Sequence, residues 1–478
     1  MRTYLFVYFG SAFLALVTTP VVIRVAHRLS IVDIPGARHM HKKPIPRIGG
    51  VAIFLSMMCL AVGVLLLSNI SADTLIRAIV LLCAAASIFS VGLIDDIKTG
   101  GLAAEIKFLA QITAAVAVCA VGVRIRSITV AEWLTLEFGW FSWPLTILWI
   151  VGITNAVNLS DGLDGLAAGI SAVACGVIAI FAIHSGQVVM AALVLALLGS
   201  LSGFLFFNFN PARIFMGDCG STFLGFTIAS ASVMCSVKSA TLVGIALPVL
   251  ALGIPIFDTL FSMLRRIIER RSMFAPDRRH FHHRLIDMGL KPHHAVIAIY
   301  STTLLFAGLG MFMIVARNIG SLMIFLCILL LLLLAFHVVG SVRLRETIAG
   351  LQRKYAIERR VQREVKNFEQ AQLRFHNAHT FDQWWSAVCE AAERMDFAWV
   401  SLTTRDKDGT IRTEFWRPTD AEPDISDAVV MNVPIRNYGM TRRAVFEIAI
   451  TVSGTIESAG HRATLFSRLI DEYELVGL

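Results

Sequence analysis

"FSWPLTILWIVGITNAVNLSDGLDGLAAGISAVACGVIAIFAI" occupies Phe141–Ile183. Its two apolar runs, 141–157 and 166–183, are each long enough for a helix to cross about 30 Å of hydrocarbon, and the polar stretch Asn155–Gly169 straddles the break between them. Asn155, Asn158, Asp161 and Asp164 recur there at every third residue, which keeps them near one helix face. Carboxylates are costly inside a bilayer and mark functional positions when they occur there. This stretch makes the chain a membrane protein with a polar site, provided that similar runs surround it.

They do. Apolar runs of span length fall at 4–23, 48–67, 75–94, 102–121, 141–157, 166–183, 188–207, 221–237, 242–264, 295–316 and 319–339, which predicts an all-α polytopic membrane protein of about eleven transmembrane helices. The 478 residues are 56% hydrophobic and 16% charged, too apolar for a soluble protein of this size. Mean hydropathy is +0.70. The first run has no small-residue cleavage site after it and leads into a basic loop, so a retained helix is expected and not a signal peptide. Eight scattered cysteines without a C-x-x-C pair suggest neither a disulfide framework nor a zinc ribbon.

The formal charge of +8 is distributed by side and not by patch. Arg24, Arg28, Arg38, Lys42, Lys43 and Arg47 crowd the first loop, and Arg265, Arg266, Arg270, Arg271, Arg278, Arg279 and Arg284 the fifth on that same side. By the positive-inside rule that side is cytoplasmic, the N-terminus is outside and the C-terminus inside. Nucleic acid is not needed to explain the charge.

After residue 340 the composition changes. Residues 341–378 carry dense charge with Leu344, Ile348, Leu351 and Tyr355 at helical spacing, an amphipathic linker. Residues 379–478 read as a small cytoplasmic α+β domain: "FDQWWSAVCEAAERM" and "HRATLFSRLIDEYEL" are helical, while "AWVSLTTRD", "TIRTEFW", "AVVMNVPI" and "FEIAITVSG" alternate like strands. This divides the chain into a transmembrane domain at 1–340, the linker, and a regulatory domain at 379–478.

The polar residues of the transmembrane part collect in five loops assigned to the cytoplasmic face: "HKKPIPRIGG" (41–50), "GLIDDIKTGG" (92–101), the opening stretch, "NFNPARIFMGDCGS" (208–221) and "APDRRHFHHRL" (275–285). Asp95 and Asp96 stand side by side at a helix end, where they are either solvated or divided between a metal and a proton. Asp218, between Gly217 and Gly220 just before a span, suits a helix N-cap and equally a ligand. Carboxylates gathered this way repel one another unless a cation is shared, and oxygen donors favour Mg²⁺, with Mn²⁺ as the alternative. His280, His282 and His283 lie among Arg278, Arg279 and Arg284, a cluster that suits a phosphate or diphosphate better than zinc; a lipid-headgroup surface is the plainer reading. Carboxylates, a divalent cation, phosphates and an apolar surround point together to phosphoryl transfer on a lipid phosphate.

These residues resemble the polyprenyl-phosphate N-acetylhexosamine-1-phosphate transferases. "HKKPIPRIGG", "GLIDDIKTGG", "NAVNLSDGLDGLAAG", "FMGDCGS", "PIFDT" (255–259) and "PDRRHFHHRL" occur in that family's order over roughly the first 340 residues. The resemblance implies that undecaprenyl phosphate attacks the β-phosphorus of a UDP-N-acetylhexosamine, giving undecaprenyl-diphosphate-sugar and UMP with Mg²⁺, to initiate a cell-envelope glycan of the cell-wall, lipopolysaccharide or O-antigen type. It also implies a location in a bacterial inner membrane. It assigns Asp218 to the metal, with Asp96 as a second ligand. It assigns Asp95 and Asp96 to the lipid phosphate, one of them as base, and Asn158, Asp161 and Asp164 to the nucleotide and metal pocket. Lys43, Arg278, Arg279, His280, His282 and His283 would contact uridine, sugar or diphosphate. "HFHHRL" departs from the "HHHFE"-like stretch of the branch that handles UDP-MurNAc-pentapeptide, which favours UDP-GlcNAc as donor. Membrane lipids, a homodimer and a cytoplasmic partner of the C-terminal domain complete the expected associations.

Two other classes compete. A cation-coupled transporter would use Asp95, Asp161 and Asp258 as an intramembrane relay and place polar groups near span midpoints. A receptor with the C-terminal domain as output would need a built outer face, and the outer loops are short.

Overall fold

The computed structural model describes residues 2–33, 44–68, 70–131, 133–239, 242–269, 280–315, 319–339, 362, 365–405, 410–418, 428–434, 443–452 and 456–473. The chain forms two compact units, Met1–Thr347 and Ile348–Leu478. Lys43, Arg278, Arg279 and most of the 341–378 linker lie outside the described residues.

The first unit contains the helices α1 (Arg2–Arg28), α2 (Gly50–Leu67), α3 (Ala72–Ile97), α4 (Ala104–Ala120), α5 (Ser142–Leu159), α6 (Leu166–His184), α7 (Val188–Asn208), α8 (Gly217–Ser239), α9 (Leu242–Ala251), α10 (Gly253–Ile268), α11 (Phe281–Asp287), α12 (Pro292–Val315) and α13 (Ile319–Val338). Two short antiparallel ribbons accompany them: β1 (Val32–Asp33) with β2 (Ile45–Pro46), and β3 (Ser127–Ala131) with β4 (Leu134–Glu137).

Among the described residues nine helices are long and apolar enough to cross a membrane, or ten if α9 and α10, bent by 77° where they meet, form one span. The sequence reading treats 102–121 and 242–264 as two further straight spans. The helix in the first has only 17 residues. The second breaks because Pro255, in the first turn of α10, has no N–H to give and would clash with the carbonyl of Ala251 if the helix ran straight through.

α8 is the centre of this unit. Apart from its first turn at Gly217 and Asp218, which is partly open, it is buried from Cys219 to Ser236 although its hydropathy is only 1.3, and it packs against α2, α3, α5, α6 and α9. Most of the hydroxyls that lower its hydropathy are satisfied within the helix: Ser221 donates to Gly217 O at 3.0 Å, Thr227 to Phe223 O at 2.7 Å and Ser232 to Ala229 O at 2.7 Å, whereas the buried Ser230 hydroxyl has no partner among the described residues. α1 shows the opposite pattern. Val7, Ser11, Ala15, Thr19, Val22 and Ala26 form one buried stripe against α7, while Phe6, Phe9 and Phe13 are turned outward as a lipid-facing helix requires.

The second unit is an antiparallel sheet in the order β6-β5-β8-β7, built from β5 (Phe397–Arg405), β6 (Ile411–Trp416), β7 (Ala428–Pro434) and β8 (Arg443–Thr451). Helical residues 365–376 (α14), α15 (Phe381–Arg394) and α16 (Ile456–Glu472) accompany it. Trp384, Val400, Leu402, Phe446, Ile448 and Phe466 form its core. Ala371, Phe375 and Ala378 belong to that same core, so the end of the expected linker is part of this unit. Arg462, 4% exposed, donates to the carbonyls of Met395 and Thr451 at 2.8 and 2.7 Å.

Candidate active site

The sequence-separated motifs meet at one end of the first unit. The strip that follows β2 is laid beside the approach to α8 by backbone bonds: Phe215 N donates to Pro46 O at 2.8 Å, Gly49 N to Phe215 O at 2.9 Å and Gly50 N to Met216 O at 2.8 Å. The chain then turns into α8 through Gly217 at φ +77°, a conformation that L side chains rarely adopt, and a Cβ there would lie 2.6 Å from Asp96 Oδ2. The glycine is therefore required for the first turn of α8 to reach α3.

At that junction Asp96, buried at the end of α3, accepts from Asp218 N at 3.0 Å through Oδ1 and from Cys219 N at 2.9 Å through Oδ2. Two N–H groups that a helix start leaves without partners are thus answered by a carboxylate from a neighbouring helix, with the negative charge at the favourable end of the α8 dipole. Asp95 points elsewhere, as a neighbour about 100° further round the helix must. It accepts from Leu102 N and, at 3.0 Å, from Lys107 Nζ. Lys107 also reaches Asp218 Oδ2 at 2.9 Å, so one ammonium joins two carboxylates from different helices. Asn158 completes the group, donating to Asp218 Oδ1 at 3.2 Å and to Ser221 Oγ at 2.9 Å.

The loop between α5 and α6 is held from two sides. Asp164 Oδ2 accepts from Asn210 Nδ2 at 2.9 Å and from Ala212 N at 3.0 Å, which fixes the α7–α8 connection. Tyr300 of α12 donates its hydroxyl to Gly165 O. Gly162 provides the remaining contact, because a Cβ on it would meet His282 Nε2 at 2.5 Å; the imidazole rests on bare backbone. Asn155 is occupied away from the loop, donating to Gln111 Oε1 at 2.6 Å and to Val151 O at 2.8 Å.

Asp161 differs from the other acidic residues. Among the described residues no donor reaches its carboxylate, and burial, reinforced by the negative charges of Asp218, Asp96 and Asp164, pushes its carboxyl up to about 7. It is partly open at the surface yet closely surrounded by protein. His282 is a second group left without a partner: it is 3% exposed and its Nε2 makes no hydrogen bond. Burial, then the proximity of His283 and His280, lowers its titration to about 3, so it is neutral at physiological pH. The three histidines lie together, with ring centroids 5.8 Å apart for His280 and His282 and 4.3 Å for His282 and His283.

The structure therefore brings together Asp95, Asp96, Asn158, Asp161, Asp164, Asp218, His280 and His282, and it divides their tasks. Asp96 and Asp164 hold backbone. The Asp96 oxygens expected to meet a metal are both engaged by the α8 backbone, whereas Asp95, Asp161 and Asp218 are joined or faced by side chains that can move. Sequence reasoning missed Lys107 and its helical neighbour Gln111. A lysine followed four residues later by a glutamine inside an otherwise apolar helix was the available signal. Asp258, expected as part of a transport relay, instead receives His280 Nδ1 at 2.9 Å and Phe281 N at 2.8 Å.

The donor set can be tested against a cation. Among the described residues no group of three His, Cys, Asp or Glu side chains forms an all-protein metal cage. The Lys107 ammonium stands between Asp95 and Asp218 as an internal counter-ion, and Asp161 has a carboxylate with no donor. Hard oxygen donors, few in number, fit Mg²⁺, which is usually held by one or two carboxylates together with substrate oxygens.

Comparison with known proteins agrees with this arrangement. The glycosyl transferase family 4 pattern matches residues 78–236, from α3 to the far part of α8. A "probable undecaprenyl-phosphate N-acetylglucosaminyl 1-phosphate transferase" of Bacillus subtilis is 44% identical over 61% of this chain and 80% of its own length. An "undecaprenyl-phosphate alpha-N-acetylglucosaminyl 1-phosphate transferase" of Yersinia pestis is 30% identical over 72% of this chain and 92% of its own. A "phospho-N-acetylmuramoyl-pentapeptide-transferase" of Halalkalibacterium halodurans is 33% identical over 58% and 85%. With the described parts of the six ordered motifs gathered at one end of the first unit and similarity across most of the length of these relatives, the chain belongs to the polyprenyl-phosphate N-acetylhexosamine-1-phosphate transferase family.

Proposed function

We propose that this chain transfers N-acetylglucosamine 1-phosphate from UDP-GlcNAc to undecaprenyl phosphate, releasing UMP and starting an envelope glycan at the cytoplasmic face of a bacterial inner membrane. The observation that carries this reading is the network around Lys107, in which carboxylates of α3 and α8 face each other beside an unpaired Asp161 and a neutral His282. A transporter relay is not favoured, because Asp258 is fully engaged with the start of α11.

In the proposed reaction an oxygen of the lipid phosphate forms a bond to the β-phosphorus of the UDP-sugar. The bond from that phosphorus to the bridging oxygen breaks, and UMP leaves. The lipid phosphate is already ionised near neutral pH, so the step needs no strong base. Asp96 is unsuited to that role because it holds the α8 backbone, and Asp95 is the carboxylate in place to orient the incoming phosphate. Asp218, Asp95 and Asp161 would hold Mg²⁺, or Mn²⁺ in its place, whose charge would neutralise the diphosphate as bonds rearrange. Lys107, released from its carboxylates, supplies a second positive charge to the phosphates. Asn158 keeps Asp218 oriented, and neutral His282 offers a hydrogen bond beside Gly162. Lys43, Arg278, Arg279 and His283 are assigned to the diphosphate and sugar. Holding two substrates in line supplies much of the remaining acceleration.

The topology proposed with this reaction has eleven crossings, with α4 and the α9–α10 pair each crossing once, the N-terminus outside and the C-terminal unit in the cytoplasm, where it regulates the enzyme or binds a partner. The choice of UDP-GlcNAc over a UDP-muramoyl peptide is supported by "HFHHRL" and by the relatives named for N-acetylglucosaminyl transfer. The test is UMP release by purified protein with undecaprenyl phosphate and a panel of UDP-sugars, with and without EDTA. Lipid-dependent release with UDP-GlcNAc, abolished by EDTA and restored by Mg²⁺, is expected. Release only with another UDP-sugar would replace the donor, release unaffected by EDTA would remove the metal, and no release with any sugar would overturn the reaction.

A further inference from the structure

We infer that Asp258 is a positioning residue that fixes the tautomer of His280 and the start of α11, and so sets the histidine cluster against the Asp161–Gly162 backbone. The inference deepens the transferase reading and rests on it for its kinetic consequences.

Asp258 lies in α10, is 7% exposed, and makes two hydrogen bonds of different kinds. Oδ1 accepts from Phe281 N at 2.8 Å, which answers one of the N–H groups at the start of α11. Oδ2 lies 2.9 Å from His280 Nδ1. An ionised carboxylate only accepts, so Nδ1 carries a proton, and in the neutral ring His280 presents Nε2 with its lone pair free for a ligand. The effect passes along α11. The His280 and His282 rings are parallel within 5°, and His282 Nε2 is the atom that leans on Gly162, next to Asp161. A buried acidic residue in a membrane helix is expensive; here both of its oxygens are used to orient one short helix.

The chemistry predicts an unusual response to Asp258→Asn. An asparagine has one acceptor oxygen, and Phe281 N, at a buried helix start, requires it. The Asn NH₂ then faces His280 Nδ1 as a donor, so Nδ1 must become the acceptor and the proton moves to Nε2. A variant that keeps shape and burial therefore reverses the tautomer.

The experiment uses full-length protein labelled with ¹⁵N-histidine, the His280 signal being assigned by its loss in His280→Ala. Wild type is expected to show Nδ1–H and Asp258→Asn to show Nε2–H. In UMP release Asp258→Asn should lower kcat about 10–100-fold, the range in which outer hydrogen-bond partners of histidines act, with KM for UDP-GlcNAc within threefold. Asp258→Glu, still an acceptor-only group, should retain the Nδ1–H tautomer and recover most of kcat. In the His280→Ala background Asp258→Asn should cost nothing further. An unchanged tautomer in Asp258→Asn, a wild-type kcat, or a fully additive loss in the double variant would each overturn the inference. If wild type releases no UMP, the transferase reading fails by itself, and the tautomer comparison still decides the action of Asp258 on His280.

Discussion

Two neighbouring parts of the site are built on opposite terms. At the α3–α8 junction all six carboxylate oxygens of Asp95, Asp96 and Asp218 accept a hydrogen bond, from backbone, Lys107 or Asn158. A few residues away, on the loop between α5 and α6, Asp161 has no donor among the described residues and His282 Nε2, leaning on that loop, has no partner. An unsatisfied buried polar group costs about 1–3 kcal/mol. A ligand therefore meets two kinds of group: at the junction it would displace Lys107 to reach Asp95 and Asp218, while on the loop it completes bonding that the fold leaves open.

The strongest way to break this comparison is to remove charge from the junction carboxylate that also faces the substrate. Asp218→Asn should reduce UMP release by at least about 1000-fold, the scale of losing a principal electrostatic group, while the protein still inserts and extracts in folded form; full activity would end the metal assignment. Asp96→Asn tests the scaffold half. It leaves one of two buried N–H groups facing an NH₂ and should lower stability by about 1–3 kcal/mol, read as a lower melting midpoint, with activity falling only as folded protein is lost.

The open half responds to pH with a defined sign. The Asp161 carboxyl titrates near 7 in the folded, ligand-free protein and is ordinarily near 3.8, so its contribution to stability is greatest at low pH and is lost as pH rises through 7. The melting midpoint of ligand-free wild type should therefore fall from about pH 4 to about pH 7 and level off above that. Asp161→Asn should flatten that fall, raise the midpoint at pH 8 and abolish turnover; a parallel pH dependence in both proteins would show that Asp161 is satisfied after all. His282 has the opposite sign, with its titration lowered from 6.5 to about 3, so stability should decline as pH drops below 6.5, and His282→Phe should remove that part of the decline. The smallest effect on chemistry is expected from the second unit. Arg462→Ala strands two buried carbonyls there and should weaken that unit while UMP release stays within about twofold, as for sites with no shared partners.

Much of this was legible in the sequence for identifiable reasons. Apolar length announced the helices, and period-two alternation gave all four strands of the second unit close to their observed bounds, because each physical pattern is local. The gathering of Asp95, Asp161 and Asp218 was legible because carboxylates are rare in apolar runs. The tasks of Asp96, Asp164 and Asp258 were not, since each is decided by N–H groups on a segment at least 22 residues away. Lys107 carries no motif of its own, and only the packing of α4 near α8 shows that it joins two carboxylates. The break at Leu252 was hidden because α9 and α10 are both apolar, and Pro255 marks it only once the chain direction is known.

The interior position of α8 also bears on how the protein is made. With a hydropathy of 1.3 it ties the lowest value among the spans, and in the finished fold its residues from Cys219 to Ser236 are buried away from lipid. α2, α3, α5 and α6, which form most of its walls, precede it in the chain and leave the ribosome first, while α9, which also packs on it, follows. A span of low hydropathy thus emerges when most of a protein-lined slot already exists for it, and the hydroxyls turned back on their own carbonyls, as at Ser221, Thr227 and Ser232, reduce what must be dehydrated on entry. A circular permutation that brought α8 out before its walls would keep every contact of the folded state and would be expected to fail at insertion.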